Sequence, residues 1–105
     1  IVTNDGWWDN TPGHLQHLAI GRLRAIENRK DIVRSANTGT SCFINQRGDT
    51  RMETAYEVDA VIRDKVYYNE SKTLYSKWGD YIVYLIGLMT LGLIIFSFMP
   101  RSRKL

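Results

Sequence analysis

From Tyr81 to Met99 the chain runs for 19 residues without a charge, and outside its two tyrosines only Thr90 and Ser97 carry hydroxyls. As a helix this run is roughly 28 Å long, close to the hydrocarbon thickness of a bilayer. The chain has 105 residues, enough for one small domain. A domain of that size cannot surround such a helix on all sides. A membrane-spanning helix over 81–99 is therefore expected. Pro100 ends the run, and Arg101-Ser102-Arg103-Lys104 follows. A short basic tail without acids favours the cytoplasmic side. Residues 100–105 then read as a cytoplasmic tail, and everything before the span as extracytoplasmic.

Residues 1–64 have a different character, mixed and charged. Leu15, Leu18, Ala19, Leu23 and Ile26 recur at helical spacing and predict one apolar helix face. Ile32-Val33-Arg34-Ser35-Ala36 is short and β-branched at its front, which predicts a strand. Asn37-Thr38-Gly39 closes it with turn chemistry. Arg24 and Glu27 are three residues apart and neighbours on a helix. If partly buried, that pair would tie the helix to the strand beside it. Ile1-Val2-Thr3 reads as the end of a buried strand, and Asn4 to Gly13 as a loop rich in turn formers. Thr40–Ile44 and Thr50–Thr54 read as a hairpin around Asn45–Asp49, with Gly48 at a positive φ. Tyr56, Val58, Ala60 and Ile62 alternate with polar neighbours and predict a half-buried strand. Residues 65–80 carry Tyr67, Tyr68, Tyr75 and Trp78, suited to a juxtamembrane connector whose aromatic rings sit at the interface.

Chemistry is sparse in the residues themselves. The net charge of +3 is mild and spread out, which gives no footprint for nucleic acid. The single cysteine, Cys42, excludes an internal disulfide and a cysteine metal cluster. It sits among Phe43 and Ile44 with no cationic neighbour in sequence, the setting of an inert core thiol. His14 and His17 flank the helix start without matching ligand spacing, so polar contacts there are expected and no metal site. No phosphate loop or catalytic triad order is present, and no cofactor is called for. Trp7 and Trp8, adjacent in a polar loop, either plug into the core or line an apolar site.

Several segments carry a resemblance in order and at close spacing. Thr3-Asn4-Asp5-Gly6-Trp7-Trp8 comes first, followed by Gln16-His17-Leu18 and Arg24-Ala25-Ile26-Glu27-Asn28-Arg29. Arg34-Ser35-Ala36-Asn37-Thr38-Gly39 and Leu74-Tyr75-Ser76-Lys77-Trp78-Gly79-Asp80, ahead of the apolar run, complete the set. Together they resemble the C-terminal part of the nitrilase superfamily domain, and within it the apolipoprotein N-acyltransferases. The resemblance implies an α+β fold, the C-terminal part of an α-β-β-α sandwich followed by one transmembrane helix. It implies a bacterial inner-membrane enzyme with a phospholipid acyl donor and a diacylated lipoprotein acceptor. Acyl transfer would run through a thioester on a cysteine, with a Glu base and a Lys beside the oxyanion. In such enzymes all three precede the Asn-Asp-Gly-Trp segment, so no catalytic residue is expected here and this piece alone would be inactive. Asn4, Asp5, Trp7 and Trp8 are expected to line the substrate pocket. Arg24, Glu27 and Asn37 are expected to brace the sandwich.

Two other functions fit the same residues. One is a membrane-anchored amidase of the nitrilase superfamily, with water as acceptor and free acid as product. The other is a membrane-tethered module with no chemistry.

Overall fold

The computed structural model describes residues 1–99, so Pro100 and the basic tail lie outside the described residues. The first strand, β1, is Val2–Thr3. A 3-10 turn at Gly6–Trp8 leads to helix α1, Gly13–Asn28, and then to strand β2, Ile32–Ala36. Strands β3 (Cys42–Ile44) and β4 (Thr50–Arg51) form a hairpin. Helix α2 (Leu74–Trp78) precedes helix α3 (Tyr81–Phe98). The sheet order is β1-β2-β3-β4, with β1 parallel to β2 and the other pairs antiparallel. A parallel pair needs a crossover, and α1 supplies it.

Helix α1 ends where Arg29 enters the left-handed region at φ 49°. The Arg29 and Lys30 amides turn back to Ile26 and Ala25 at 3.2 and 3.1 Å. This closes the last turn in the manner usually left to glycine. The buried face of α1 is His14, Leu18, Gly21 and Ala25. Of the five apolar residues expected to form that face, only Leu18 is buried, while Leu15, Leu23 and Ile26 are about half exposed. The reason is steric. Arg34 lies between helix and sheet, and small residues make room for it. A Cβ on Gly21 would sit 3.9 Å from Arg34 Nη1 and 3.7 Å from Ile44 Cδ1.

The core beneath α1 is Leu18, Ala25, Cys42 and Ile44, with Ile32 packed against it. The register pairs Arg34 with Cys42 and Ile32 with Ile44, so these four share one sheet face. Burial raises the Cys42 thiol above its ordinary pKa, aided by the charge of Glu53 and opposed by Arg34 and Arg22. The opposite face carries Val2 and Val33, and Val2 is 92% exposed. Among the described residues β1 pairs with one neighbour, β2.

The β3–β4 turn follows its turn chemistry. Asn45 Oδ1 accepts from the Arg47 and Asp49 amides, each at 2.9 Å, and Gly48 takes φ 83°. Arg22 Nε donates to the Gly48 carbonyl at 2.6 Å and fastens the hairpin to α1.

The strand expected at Tyr56–Ile62 does not form. Glu57 takes φ 55°, which breaks the extended run at its second residue, and Met52 at φ 56° ends β4 after Arg51, short of the expected Thr54. The segment instead crosses the loop ends, where the Glu57 amide donates to the Thr38 carbonyl at 2.7 Å.

The Arg24–Glu27 pair forms as its spacing predicts, with Glu27 partly buried. It closes at 2.7 Å, but Arg24 is 52% exposed, and the same guanidinium donates to Tyr75 Oη at 2.9 Å. It joins α1 to α2, and no strand takes part. An exposed pair of this kind adds little stability.

Helix α3 is long and apolar enough to cross a membrane, and none of it is buried against the described residues.

Candidate functional site

The parallel strands β1 and β2 end side by side, with Thr3 opposite Ala36. Loops leaving the carboxyl ends of adjacent parallel strands are where α/β folds place ligands. Here those loops are residues 4–12 and 37–41, and polar side chains hold them together.

Asn4 Oδ1 accepts from Asn37 Nδ2 at 2.8 Å and from the Gly6 amide at 3.0 Å. Asn37 Oδ1 accepts from the Asp5 amide at 3.1 Å and the Thr38 amide at 2.9 Å. Two side-chain amides thus staple the two loops.

Below them lies an ion pair that the sequence reading did not assign. Asp5 is 0% exposed and Arg34 1% exposed, with Arg34 Nη2 2.6 Å from Asp5 Oδ2. The other carboxylate oxygen meets His17 Nδ1 at 2.9 Å and accepts from Thr3 Oγ1 at 3.1 Å. Arg34 Nε donates to the Thr40 carbonyl at 3.1 Å, so the same guanidinium also holds the second loop. Burial pushes the Asp5 carboxyl up, but the His17 hydrogen bond, the Arg34 charge and Thr3 outweigh it. The net result lies below the ordinary carboxylate value.

The two tryptophans separate. Trp8 rests on the first turn of α1, where a Cβ on Gly13 would approach its Cγ to 2.6 Å, and its ring meets His17 edge-on at 5.1 Å. Trp7 points outward and is 82% exposed. His14 is buried under Tyr56, ring centroids 4.7 Å apart, and its Nδ1 finds no hydrogen-bond partner among the described residues.

Of the four residues expected to line a pocket, Asn4 and Trp7 reach the surface, Trp8 is packed on one side and still 38% exposed, and Asp5 is sealed inside. Asn37 lies within the same cluster, whereas Arg24 and Glu27 lie near the other end of α1. Sequence reasoning missed Arg34 as the partner of Asp5 and gave His17 only as a polar contact at the helix start. An arginine on the apolar side of a short strand requires a buried acid, and Asp5 answers from 29 residues upstream.

No family model matches the chain. It is 32% identical to an apolipoprotein N-acyltransferase from Pasteurella multocida over 97% of its own length and 20% of that protein. It is 37% identical to one from Geobacter metallireducens, over 75% of the chain and 15% of the relative. A third, from Chlorobaculum tepidum, is 39% identical over 78% and 15% respectively. The chain thus spans about a fifth or less of the length of the curated relatives it matches.

Proposed function

With nearly its whole length similar to one segment of them, this chain belongs with the apolipoprotein N-acyltransferases, and we propose that it forms the C-terminal wall of the acyl-transfer site in such an enzyme. The full protein would move a fatty acyl chain from a phospholipid to the α-amine of a lipoprotein's diacylglyceryl-cysteine. A cysteine thiolate outside this chain attacks the ester carbonyl, and a lysophospholipid leaves. The amine then attacks the thioester, yielding an amide and regenerating the thiol.

The observation that carries this reading is Trp7. It is a large apolar ring left uncovered by the described residues at the strand ends, on a base that Asn4, Asn37 and the Asp5–Arg34 pair make rigid. An acyl chain laid against such a ring leaves water. The open sheet face at Val2 and Val33 supports a second layer packed there, as an α-β-β-α sandwich requires.

In the full-length protein, Trp7→Ala is expected to lower N-acylation of a diacylated lipopeptide about tenfold, since a ring's worth of apolar contact is about 1.5 kcal/mol. Cys42→Ala, which alters a buried thiol far from ionisation, is expected to leave turnover unchanged. Mass spectrometry of the lipopeptide reads both. Free fatty acid in place of the N-acyl product would replace the proposal with hydrolysis.

We place the nitrilase-like part over 1–64, the connector over 65–80 and the span over 81–99, with the domain outside the cytoplasmic membrane. A reporter fused after Leu105 should be active in the cytoplasm, and one inserted near Asn69 outside it. The reverse pattern would invert the topology.

A further inference from the structure

The C-terminal end of α1 is built differently from the end that bears the candidate site. Residues 65–78 strap across it. Tyr67 N–H donates to Asp31 Oδ2 at 2.8 Å, and Asn69 Nδ2 to the Arg29 carbonyl at 3.1 Å. Thr73 Oγ1 donates to the Glu27 carbonyl at 2.6 Å, and Ser76 Oγ to Asn28 Oδ1 at 2.7 Å. The strap satisfies helix carbonyls that would otherwise face water.

Between helix and strap lies a cleft of about 500 Å³ lined by Ile26, Glu27, Arg29, Lys72, Leu74 and Tyr75, among others. Arg29 and Lys72 make no side-chain hydrogen bond or ion pair among the described residues, whereas Glu27 is engaged by Arg24. The charge left to the cleft is therefore positive.

Arg29 stands at φ 49°, a conformation disfavoured for any residue with a Cβ and usually given to glycine. A strained backbone at a cap that glycine would satisfy indicates that the side chain is wanted there. On the reading of α3 as a membrane span, the cleft also lies next to the bilayer. Only α2, Gly79 and Asp80 separate it from α3, a distance of roughly 10–15 Å. Trp78 and Tyr81, in edge contact at 6.3 Å, mark an interfacial belt. Helix α1 has 16 residues, about 24 Å, so this cleft and the candidate site are at opposite ends of it.

We propose that this cleft binds the headgroup phosphate of an anionic membrane phospholipid, at a site separate from the acyl-transfer site. Arg29 and Lys72 hold the phosphate, and Ile26 and Leu74 receive the upper part of the lipid. The bound lipid fixes the height of the domain above the bilayer. The inference rests on the reading of α3 as a membrane span.

The test uses the full-length protein in detergent, with native mass spectrometry of retained lipid. Wild type should retain dioleoylphosphatidylglycerol over dioleoylphosphatidylcholine. Arg29→Gly, which relieves the left-handed strain, and Lys72→Gln on the exposed strap should each weaken that retention roughly fivefold. Excess inorganic phosphate should fail to displace the lipid. Undiminished retention by the double variant overturns the proposal. Displacement by phosphate alone would assign the cleft to a free anion instead. Release of the protein from membranes by alkaline carbonate overturns the membrane premise and the proposal with it. Loss of acyl transfer with lipid retention intact would count against the proposed function alone.

Discussion

Arg34→Ala is expected to cost the full-length protein about 3–5 kcal/mol, because it leaves the Asp5 carboxylate buried without its cation. Both partners are essentially inaccessible, so water cannot replace the lost contact. Asp5→Asn should approach the same loss from the other side, stranding the guanidinium between α1 and the sheet. The two together should cost less than the sum, since the second change removes a partner already stranded. Pulse proteolysis of the purified protein and its abundance in cells would both report the change. The pH dependence has a definite sign. The folded carboxyl is held below its ordinary value of 3.8, so its stabilisation is complete above about pH 4. That contribution is lost as pH falls through the folded value. Asp5→Asn should remove it, flattening the acid limb of the stability profile. A variant with wild-type stability and an unchanged acid limb would show that the pair does not hold the fold.

Gly39→Ala should be nearly as damaging, at about 3 kcal/mol, the upper end of the range for overpacking. The added methyl would overlap the Asp5 carboxylate and lie 2.8 Å from Asp5 Cβ. Asp5 cannot withdraw, because Arg34, His17 and Thr3 hold its oxygens and Asn37 holds its amide. The methyl therefore displaces the ion pair or the loop. Gly6→Ala is the matching control. Its methyl would lie 3.2 Å from the Asn4 side-chain oxygen and 3.6 and 3.9 Å from Thr38 Oγ1 and Asn37 Nδ2, contacts that a shift of a few tenths of an ångström relieves. If the two alanine variants unfolded under the same conditions, close approach at residue 39 would not be what constrains these loops.

Local signals carried well where conformation is a local matter. The helix between the loop and the first long strand, the strand at Ile32–Ala36, the turn at Gly48 and the apolar helix near the end were all legible. Each depends on propensity, turn chemistry or an uninterrupted apolar run. Pairing and facing were not legible in the same way. The stripe of Leu15, Leu23 and Ile26 predicts a buried face, yet α1 buries His14, Gly21 and Ala25, because an arginine beneath it needs space. Alternation from Tyr56 to Ile62 predicts a strand, yet positive φ at Glu57 breaks the run. Spacing alone placed Glu27 beside Arg24. The protein's tertiary structure decided that the pair stays in solvent and reaches Tyr75.

The candidate site divides along the same line. Asn4, Asp5, Trp7 and Trp8 stood out by type and position, a polar turn bearing two large rings. Their division of labour came from contacts across the chain. A carboxylate's role depends on whether a cation reaches it, and Arg34 is 29 residues away in sequence. A tryptophan's role depends on what lies under its ring, and Gly13 lies under Trp8 whereas Trp7 is uncovered among the described residues. The sequence by itself determined helix α1, strand β2, the turn at Gly48 and the apolar helix α3, because those choices are settled within a few residues. Only the tertiary structure decided which side chains are buried together, because burial is a property of neighbours that the chain brings in from far away.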